Sequence, residues 1–266
     1  MHSVGHGRAL VLLHGGAGSW THWTSNLDAL AREHTVHAID LPGCGESPDV
    51  PSHIAPDDYM RHVAEAIVAL GGGRILLAGF SFGAVIAART AALFPDAVER
   101  VVLAGPGGFG KPVGRELDLR RVPGEGDKAG AWPALRHNLL QMMLADPRSI
   151  DDATLELHYR NVLRARFDSR KVSLGETLLD DLARIRCPAA VIWGALDQLA
   201  HPSVAGRAAA CRERKSDIEI HSIPGGGHWV QYEQPAAFNE AIIRFLAASE
   251  PAQPSIRVAS QAPRSP

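Results

Sequence analysis

The chain has 266 residues, of which 45% are hydrophobic and 21% are charged, a composition typical of folded globular proteins and unlike that of disordered ones. Its 27 basic and 29 acidic residues give a formal net charge of -2, which argues against a nucleic-acid binder or a protein held on anionic membranes. The 3 cysteines are scattered and form no disulfide framework, so we expect a reducing, cytoplasmic location. We find no signal peptide and no apolar run of the roughly 18 to 20 residues that a membrane helix needs.

Short apolar runs that end at glycines or turns alternate with helical patterns along most of the chain. Most of the runs lack clean polar alternation, as expected of strands buried on both faces of a parallel sheet. They cover residues 9–13, 35–39, 75–78, 101–104, 189–193 and 218–223. Helices are predicted over residues 57–70, before three glycines, and over residues 82–94, before Pro95. The alternation predicts an α/β fold with a mainly parallel open sheet flanked by helices.

This alternation breaks between residues 109 and 181. The stretch begins with glycine, proline and charged residues and continues as helical patterns over residues 133–144 and 150–167, with Asp151 or Asp152 near the second N-cap. Because strand-like sequence resumes at Ala189, we interpret residues 109–181 as a helical cap inserted into one sheet domain, formed by residues 1–108 and 182–248. Residues 249–266 are rich in Pro, Ser and Ala, and we expect a disordered tail there.

The candidate nucleophile is Ser81, in the sequence Gly-Phe-Ser-Phe-Gly that follows a predicted strand and opens a predicted helix. This strand–turn–helix context is that of a nucleophile elbow. The serine must sit on a sharp turn whose backbone strain costs roughly 1 to 3 kcal/mol. Side chains two positions to either side would collide, which explains Gly79 and Gly83. The alternative is an ordinary serine in a glycine-lined turn.

A serine hydroxyl needs a base, and the base needs a carboxylate that orients it. His228 follows three glycines directly after the last predicted strand, and Asp197 lies just beyond the strand at 189–193. All three side chains then lie at strand carboxyl ends, where open α/β sheets place their sites. His221 is a rival for the base and Asp40 for the acid, although Asp40 would give the wrong chain order and its setting is more typical of a structural turn.

Negative charge that develops on a carbonyl oxygen needs backbone N–H donors. We expect one donor to be the amide of Phe82, at the start of the helix after the nucleophile. We expect the other donor to come from the loop at residues 14–18, with the amide of Gly16 as the first candidate. His14 is expected to form a hydrogen bond with the backbone of this loop. This loop lacks the phosphate-binding glycine patterns, so a nucleotide site is not favoured.

The loop at residues 14–18, the turn at 40–45, the elbow at 79–83, Asp197 and His228 together resemble the α/β-hydrolase superfamily. The resemblance implies that superfamily's fold, a helical cap and serine catalysis without metal or cofactor. It also implies a β-hairpin before the strand at 9–13. Only residues 1–8 precede that strand here. Either the hairpin is missing or the chain starts late, and a missing hairpin would leave a bare sheet edge.

Within the superfamily, His228-Trp229 followed by Glu233 is similar to the meta-cleavage-product hydrolases, which split carbon–carbon bonds in vinylogous diketones. Those enzymes usually carry Asn before the nucleophile, where this chain has Phe80. They also carry a cap arginine, for which Arg160 is the nearest counterpart.

We therefore expect a carboxylesterase-like serine hydrolase that acts on a small carboxylic ester or a related acyl substrate. The alternatives are a carbon–carbon bond hydrolase of meta-cleavage-type dienoates and, in another class, a ligand-binding receptor on a hydrolase fold. The substrate is expected between sheet and cap, with Phe80, Trp229 and Arg160 as candidate contacts. The expected partner is this small molecule, with no nucleic acid and no membrane, and a homodimer is compatible with the sequence.

Overall fold

A computed structural model of the chain describes residues 1–112 and 116–248. Its strands are β1 (His2–Gly5), β2 (Arg8–Leu13), β3 (His34–Ile39), β4 (Ile75–Phe80), β5 (Val98–Ala104), β6 (Ala189–Gly194) and β7 (Glu219–Ile223). They form one sheet in the order β1-β3-β2-β4-β5-β6-β7. Among these strands every pairing is parallel except that of β1 with β3. The mainly parallel open sheet predicted from the sequence is therefore confirmed.

Helices cover both faces of the sheet. They are α1 (Leu27–Leu30), α2 (Pro56–Gly71), α3 (Phe82–Leu93), α4 (Lys128–Met142), α5 (Asp152–Leu163), α6 (Arg170–Ser173), α7 (Leu178–Leu182), α8 (Val204–Arg214), α9 (Val230–Glu233) and α10 (Pro235–Ala247). Short 3-10 helices span Trp20–Trp23 and Pro147–Ser149. One apolar core lies between the sheet and α2, α3, α7 and α8. The other lies between the sheet and α1 and α10 and continues into α4 and α5.

Strand β2 shows why most of the strand runs lack clean polar alternation. Leu10 and Leu12 point into the core on the α10 side, and Val11 and Leu13 into the core on the α3 side. All four side chains are fully buried. A strand covered on both faces is apolar at every position, because successive side chains point to opposite faces.

The sheet edge at β3 is not bare, because β1 pairs with it. His2 to Gly5 pair antiparallel with Ala38 to Thr35 through their backbones. This strand is mostly exposed, so its side chains carry no apolar pattern from which it could be predicted. Backbone hydrogen bonds form its ladder, and they are joined by the 2.9 Å bond between Ser3 Oγ and His37 Nδ1 and by the stacking of His2 on Trp20, with ring centroids 4.5 Å apart.

Helices α4 to α7 lie between β5 and β6, and we call this segment the insertion. Helix α4 begins at Lys128, five residues before the predicted start, because the Asp127 side chain accepts a hydrogen bond from Gly130 N and caps the helix. Helix α5 is capped by Asp151 and ends at Leu163, before the predicted end. The domain boundaries remain a prediction, and the expected tail at 249–266 lies outside the described residues.

The chain leaves α5 early because its next residues bond to the sheet domain. The amides of Arg166 and Phe167 both donate to the carbonyl of Gly43, at 2.8 and 3.1 Å. The Phe167 ring then stacks on Tyr59 of α2, with centroids 4.1 Å apart. A contact with a loop more than a hundred residues away leaves no signal in the local helical pattern.

A buried ion pair joins the end of the insertion to α3, and it generates a stability prediction. Asp181 of α7 is fully buried and accepts a hydrogen bond from Arg89 Nε at 2.8 Å. Replacing Asp181 with Ala leaves the guanidinium, only 14% exposed, without its buried counterion. We expect the free energy of unfolding in urea to fall by about 3 kcal/mol or more.

The matched control is Asp57→Ala, which removes the exposed partner of the same arginine. That carboxylate is 70% exposed, so its loss should change the free energy of unfolding by about 1 kcal/mol or less. Equal effects of the two substitutions would show that burial does not strengthen the Asp181 contact.

Candidate active site

Ser81 lies at the turn between β4 and α3, in a backbone conformation that non-glycine residues seldom adopt. Its φ is 52° and its ψ is -108°. The residue is half-buried, whereas Phe80 and Phe82 on either side are fully buried. The turn therefore buries its neighbours and leaves the serine in contact with solvent, at a strain of roughly 1 to 3 kcal/mol.

The two glycines around Ser81 are required by close backbone contacts. A Cβ on Gly79 would collide with the carbonyl of Gly83 across the turn. A Cβ on Gly83 would collide with the carbonyls of Leu13 and His14 at the end of β2. The glycines thus let α3 begin directly against two neighbouring strands, which is what makes the turn sharp.

His228 lies between the serine and an acid, as the sequence predicts. Its Nε2 is 2.9 Å from Ser81 Oγ, and its Nδ1 is 2.9 Å from Asp197 Oδ2. Because an ionised carboxylate only accepts hydrogen bonds, Nδ1 carries the proton and Nε2 is free to accept one from the serine. The side chains of His228 and Asp197 are 5% and 1% exposed, so this chain of hydrogen bonds is closed to water on all but the serine side.

Close backbone packing brings the acid and base loops together. A Cβ on Gly194, at the end of β6, would collide with the carbonyls of Gly226 and Gly227. In addition, Leu196 N donates to Gly226 O and Ala195 N to Ile223 O, both at 2.9 Å. The loop that carries Asp197 is therefore bonded along its length to the loop that carries His228.

The structure does not bring the two rival residues to the serine. His221 lies within β7, and its ring faces Glu219 at 3.4 Å. Asp40 accepts hydrogen bonds from Trp20 N at 2.7 Å and from Glu46 N at 2.9 Å, so it holds a turn.

The two predicted oxyanion donors lie on either side of the turn. Phe82 is the first residue of α3, and the amides of a helix's first turn have no partner within the helix. Gly16 lies in the loop after β2, and the hydroxyl of Ser169 from the insertion packs against it. Ala17 follows with a φ of 46°, which bends this loop sharply. The role of both amides remains a prediction.

His14 is structural, as expected. It donates from Nδ1 to Gly15 O at 2.7 Å and accepts at Nε2 from Leu41 N at 3.0 Å. Burial lowers its pKa from 6.5 to about 4, so it stays neutral and can play both parts. His22 supports the same loop by accepting from Gly15 N at 3.2 Å, and burial lowers its pKa too. No sequence pattern marked His22 for this position.

The three predicted pocket contacts fall in different places. Phe80 is buried with its ring centroid 5.0 Å from that of His228, and the Trp229 ring is buried against His22 and Tyr232. Arg160 is exposed and bonds Glu156. It lines a cavity of about 450 Å³ that no residue of the triad lines, so the structure does not bring Arg160 to Ser81.

Two polar residues tie the insertion to the site, and the sequence predicted these contacts for neither of them. Asn161 of α5 is buried, and its Oδ1 accepts a hydrogen bond from Ser19 Oγ at 2.7 Å in the loop after Gly16. Glu233 of α9 accepts hydrogen bonds from backbone amides beside His228 and after α4. A single polar residue in a helix gives no pattern, although the spacing of Glu233 after His228 marked it as part of a motif.

Across residues 1–112 and 116–248, no three His, Cys, Asp or Glu side chains are grouped so that they could hold a metal ion. Within the same residues, no helix combines the length and the apolar surface needed to cross a bilayer.

Buried histidines around the site make the stability of the fold depend on pH. Burial lowers the pKa of His158, as of His14, to about 4 from 6.5. Between these values the unfolded chain binds a proton that the folded chain does not, so the free energy of unfolding falls as the pH falls. From pH 7 to pH 5 the loss is about 2 kcal/mol for each such histidine.

Replacing His158 with Leu should remove its share of this loss. Urea unfolding at pH 7 and pH 5 measures it directly. We expect the drop in the free energy of unfolding to be about 2 kcal/mol smaller in the variant than in the unmodified chain. Equal drops would mean that His158 is protonated alike in both states.

The chain is similar in sequence and in fold to known proteins. A family model described as the alpha/beta hydrolase family matches residues 10–241. A hydrolase of 2-hydroxy-6-oxononadienedioate and 2-hydroxy-6-oxononatrienedioate from Paraburkholderia phymatum is 30% identical, over 89% of this chain and 86% of its own length. The acetyltransferase component of an acetoin cleaving system from Pseudomonas putida is also 30% identical over 90% of this chain, which spans 64% of that protein.

Among solved structures, a meta-cleavage product hydrolase from Pseudomonas fluorescens superposes with a TM-score of 0.71 at 24% identity. The superposition covers 92% of each chain, so the likeness in fold extends over both proteins. The family model, which matches most of the chain, shows that this chain belongs to the alpha/beta hydrolase family.

Proposed function

We propose that this protein is a serine hydrolase that cleaves a small carboxylic ester or a related acyl substrate. The observation that carries the proposal is the pair of 2.9 Å contacts that links Asp197, His228 and Ser81 while the serine remains open to solvent. A nucleophile, its base and the orienting acid in this order form the arrangement that acyl transfer requires.

The geometry supports a two-step reaction. Ser81 Oγ attacks the substrate carbonyl while its proton passes to His228 Nε2, and Asp197 stabilises the resulting imidazolium. The amides of Gly16 and Phe82 bind the negative oxygen of the tetrahedral intermediate. The imidazolium then protonates the leaving alcohol, which departs and leaves an acyl group on the serine. A water molecule, deprotonated by His228, releases the acid and restores the hydroxyl.

A second candidate is the hydrolysis of a carbon–carbon bond in a meta-cleavage-type dienoate by the same triad. The observation that favours it is the 30% identity to the Paraburkholderia phymatum enzyme, whose name gives substrates of this kind. The ester comes first because Phe80 places an apolar ring against His228. In addition, Arg160, Arg164 and Arg166 each pair with a surface carboxylate of this chain, which supplies the charge that a substrate carboxylate would otherwise provide.

Labelling with a fluorophosphonate tests whether Ser81 is a catalytic nucleophile, because such probes phosphonylate activated serines. We expect the unmodified chain and a Ser216→Ala control, which alters an exposed serine, to take up one label each. The Ser81→Ala variant should take up none, and its turnover of p-nitrophenyl acetate should fall at least about 1,000-fold. An unlabelled Ser81, together with unchanged ligand binding by Ser81→Ala, would favour the ligand-binding receptor instead.

The bond that is cleaved can be decided by comparing two substrates on the same preparation. We expect a higher kcat/KM for short-chain p-nitrophenyl esters than for a coloured 2-hydroxy-6-oxo-dienoate. A clear preference for the dienoate would replace the ester proposal by carbon–carbon bond hydrolysis.

A further inference from the structure

Glu233, the last residue of α9, binds three backbone amides with one carboxylate. Its Oε1 accepts hydrogen bonds from Ala145 N at 2.9 Å and from Asp146 N at 2.7 Å. Its Oε2 accepts one from Gly227 N at 2.6 Å and a longer one from Ala145 N at 3.2 Å. Two of these amides follow α4 in the insertion, and the third belongs to the residue before His228. The carboxylate therefore joins two segments that lie far apart in the sequence.

A second hydrogen bond fixes the other side of His228 to the same part of the insertion. Trp229 N donates to Met143 O at 2.7 Å. The residue before His228 is thus bonded to Glu233, and the residue after it is bonded to the end of α4. The main chain of His228 is held at both of its neighbours, and each hold involves residues 143–146 of the insertion, directly or through Glu233.

The His228 loop has no room to shift while residues 143–146 stay in place. A Cβ on Gly227 would lie 2.8 Å from Ala145 N and 3.0 Å from Met143 O, which is too close for any side chain. On the other side, the Trp229 ring stacks on Tyr232 at 4.1 Å, and its Nε1 donates to His22 O at 3.0 Å. Because both neighbours of His228 are fixed in this way, movement of residues 143–146 carries His228 with it.

The strength of the link comes from its charge. A carboxylate that accepts backbone N–H bonds forms shorter and stronger bonds than a neutral oxygen does. A glutamine side chain has the same length but only one accepting oxygen, so it cannot accept from all three amides in this arrangement.

We propose that Glu233 is a positioning residue, which sets the place of His228 Nε2 against Ser81 Oγ by bonding the His228 loop to residues 143–146 of the insertion. Glu233 bonds neither the reacting atoms nor the side chains of the triad, and it acts through Gly227. This inference rests on the proposed function, because His228 must be the base for its placement to affect a rate.

The test compares Glu233→Gln with Glu240→Gln, which alters an exposed carboxylate on the neighbouring helix α10. An amide keeps one accepting oxygen and turns an N–H donor toward at least one of the three backbone amides, so the bridge is weakened. We expect kcat/KM for p-nitrophenyl acetate to fall about 100-fold, the size of effect that a displacement of about 1 Å has on catalysis. The loss should lie in kcat rather than KM, and labelling by a fluorophosphonate should slow by a similar factor. Glu240→Gln should behave as the unmodified chain.

A readout that needs no substrate separates positioning from general stability. The proton between His228 Nδ1 and Asp197 gives a downfield proton NMR resonance, which we expect to shift or broaden in Glu233→Gln at temperatures well below its Tm. Gly227→Ala disturbs the same contact from the other side. It should have the same effects, and the double variant should lose less than the product of the two single losses. If Glu233→Gln does not fold, Gly227→Ala carries the test.

An unchanged kcat/KM and resonance in Glu233→Gln would overturn the proposal. A lower Tm with an unchanged resonance and unchanged activity per folded molecule would also overturn it, because that is the result of a structural role alone. If Ser81 of the unmodified chain is never labelled, the proposed function fails. The resonance then still decides whether Glu233 positions His228.

Discussion

The arrangement depends on the strained backbone of Ser81. A φ of 52° at a non-glycine residue persists only where its surroundings enforce it. Here the surroundings are the carbonyls of Leu13, His14 and Gly83, which leave room for nothing larger than hydrogen at Gly79 and Gly83. Packing against the central strands of the sheet thus holds the strained turn in place. The turn exposes the Ser81 hydroxyl to solvent, and α3 begins at the next residue.

The same device, backbone packed against backbone, recurs in the other loops of the site. Gly194 lies against the carbonyls of Gly226 and Gly227, and Gly227 lies against the segment after α4. At each of these glycines, two backbone segments pack directly against each other with no side chain between them, so the distance between the segments is fixed. The positions of Asp197 and His228 therefore follow from the register of β6 and β7, and Glu233 extends that fixed geometry to the insertion.

Polar contacts complete what the glycines begin. Ser19 and Asn161 join the loop after Gly16 to α5, while His14 and His22 hold that loop from beneath. Both histidines remain neutral because burial lowers their pKa values. A neutral imidazole can donate at one nitrogen and accept at the other, and His14 uses both.

The sequence predicts those parts of the structure whose signal is local. The runs that became β2, β4, β5 and β6 are apolar at successive positions, and Ser81, Asp197 and His228 each lie just beyond a predicted strand. Strand β1 could not be predicted in this way because it is mostly exposed and its residues form no apolar pattern. The early end of α5 depends on Gly43, and Asn161 depends on Ser19, so both are decided by contacts between segments distant in the chain. Arg160 was a reasonable candidate by position in the sequence, but its side chain bonds Glu156 on the same helix.

A crystal structure of the chain with a phosphonate bound to Ser81 tests the central claim most directly. The claim is that the strained turn aims the serine so that the amides of Gly16 and Phe82 meet the charge that develops on the substrate. The account predicts a phosphonyl oxygen about 2.7 to 3.1 Å from both amide nitrogens, with the backbone of Ser81 unchanged. A phosphonyl oxygen bonded elsewhere, or a turn that relaxes to negative φ in the adduct, would contradict it.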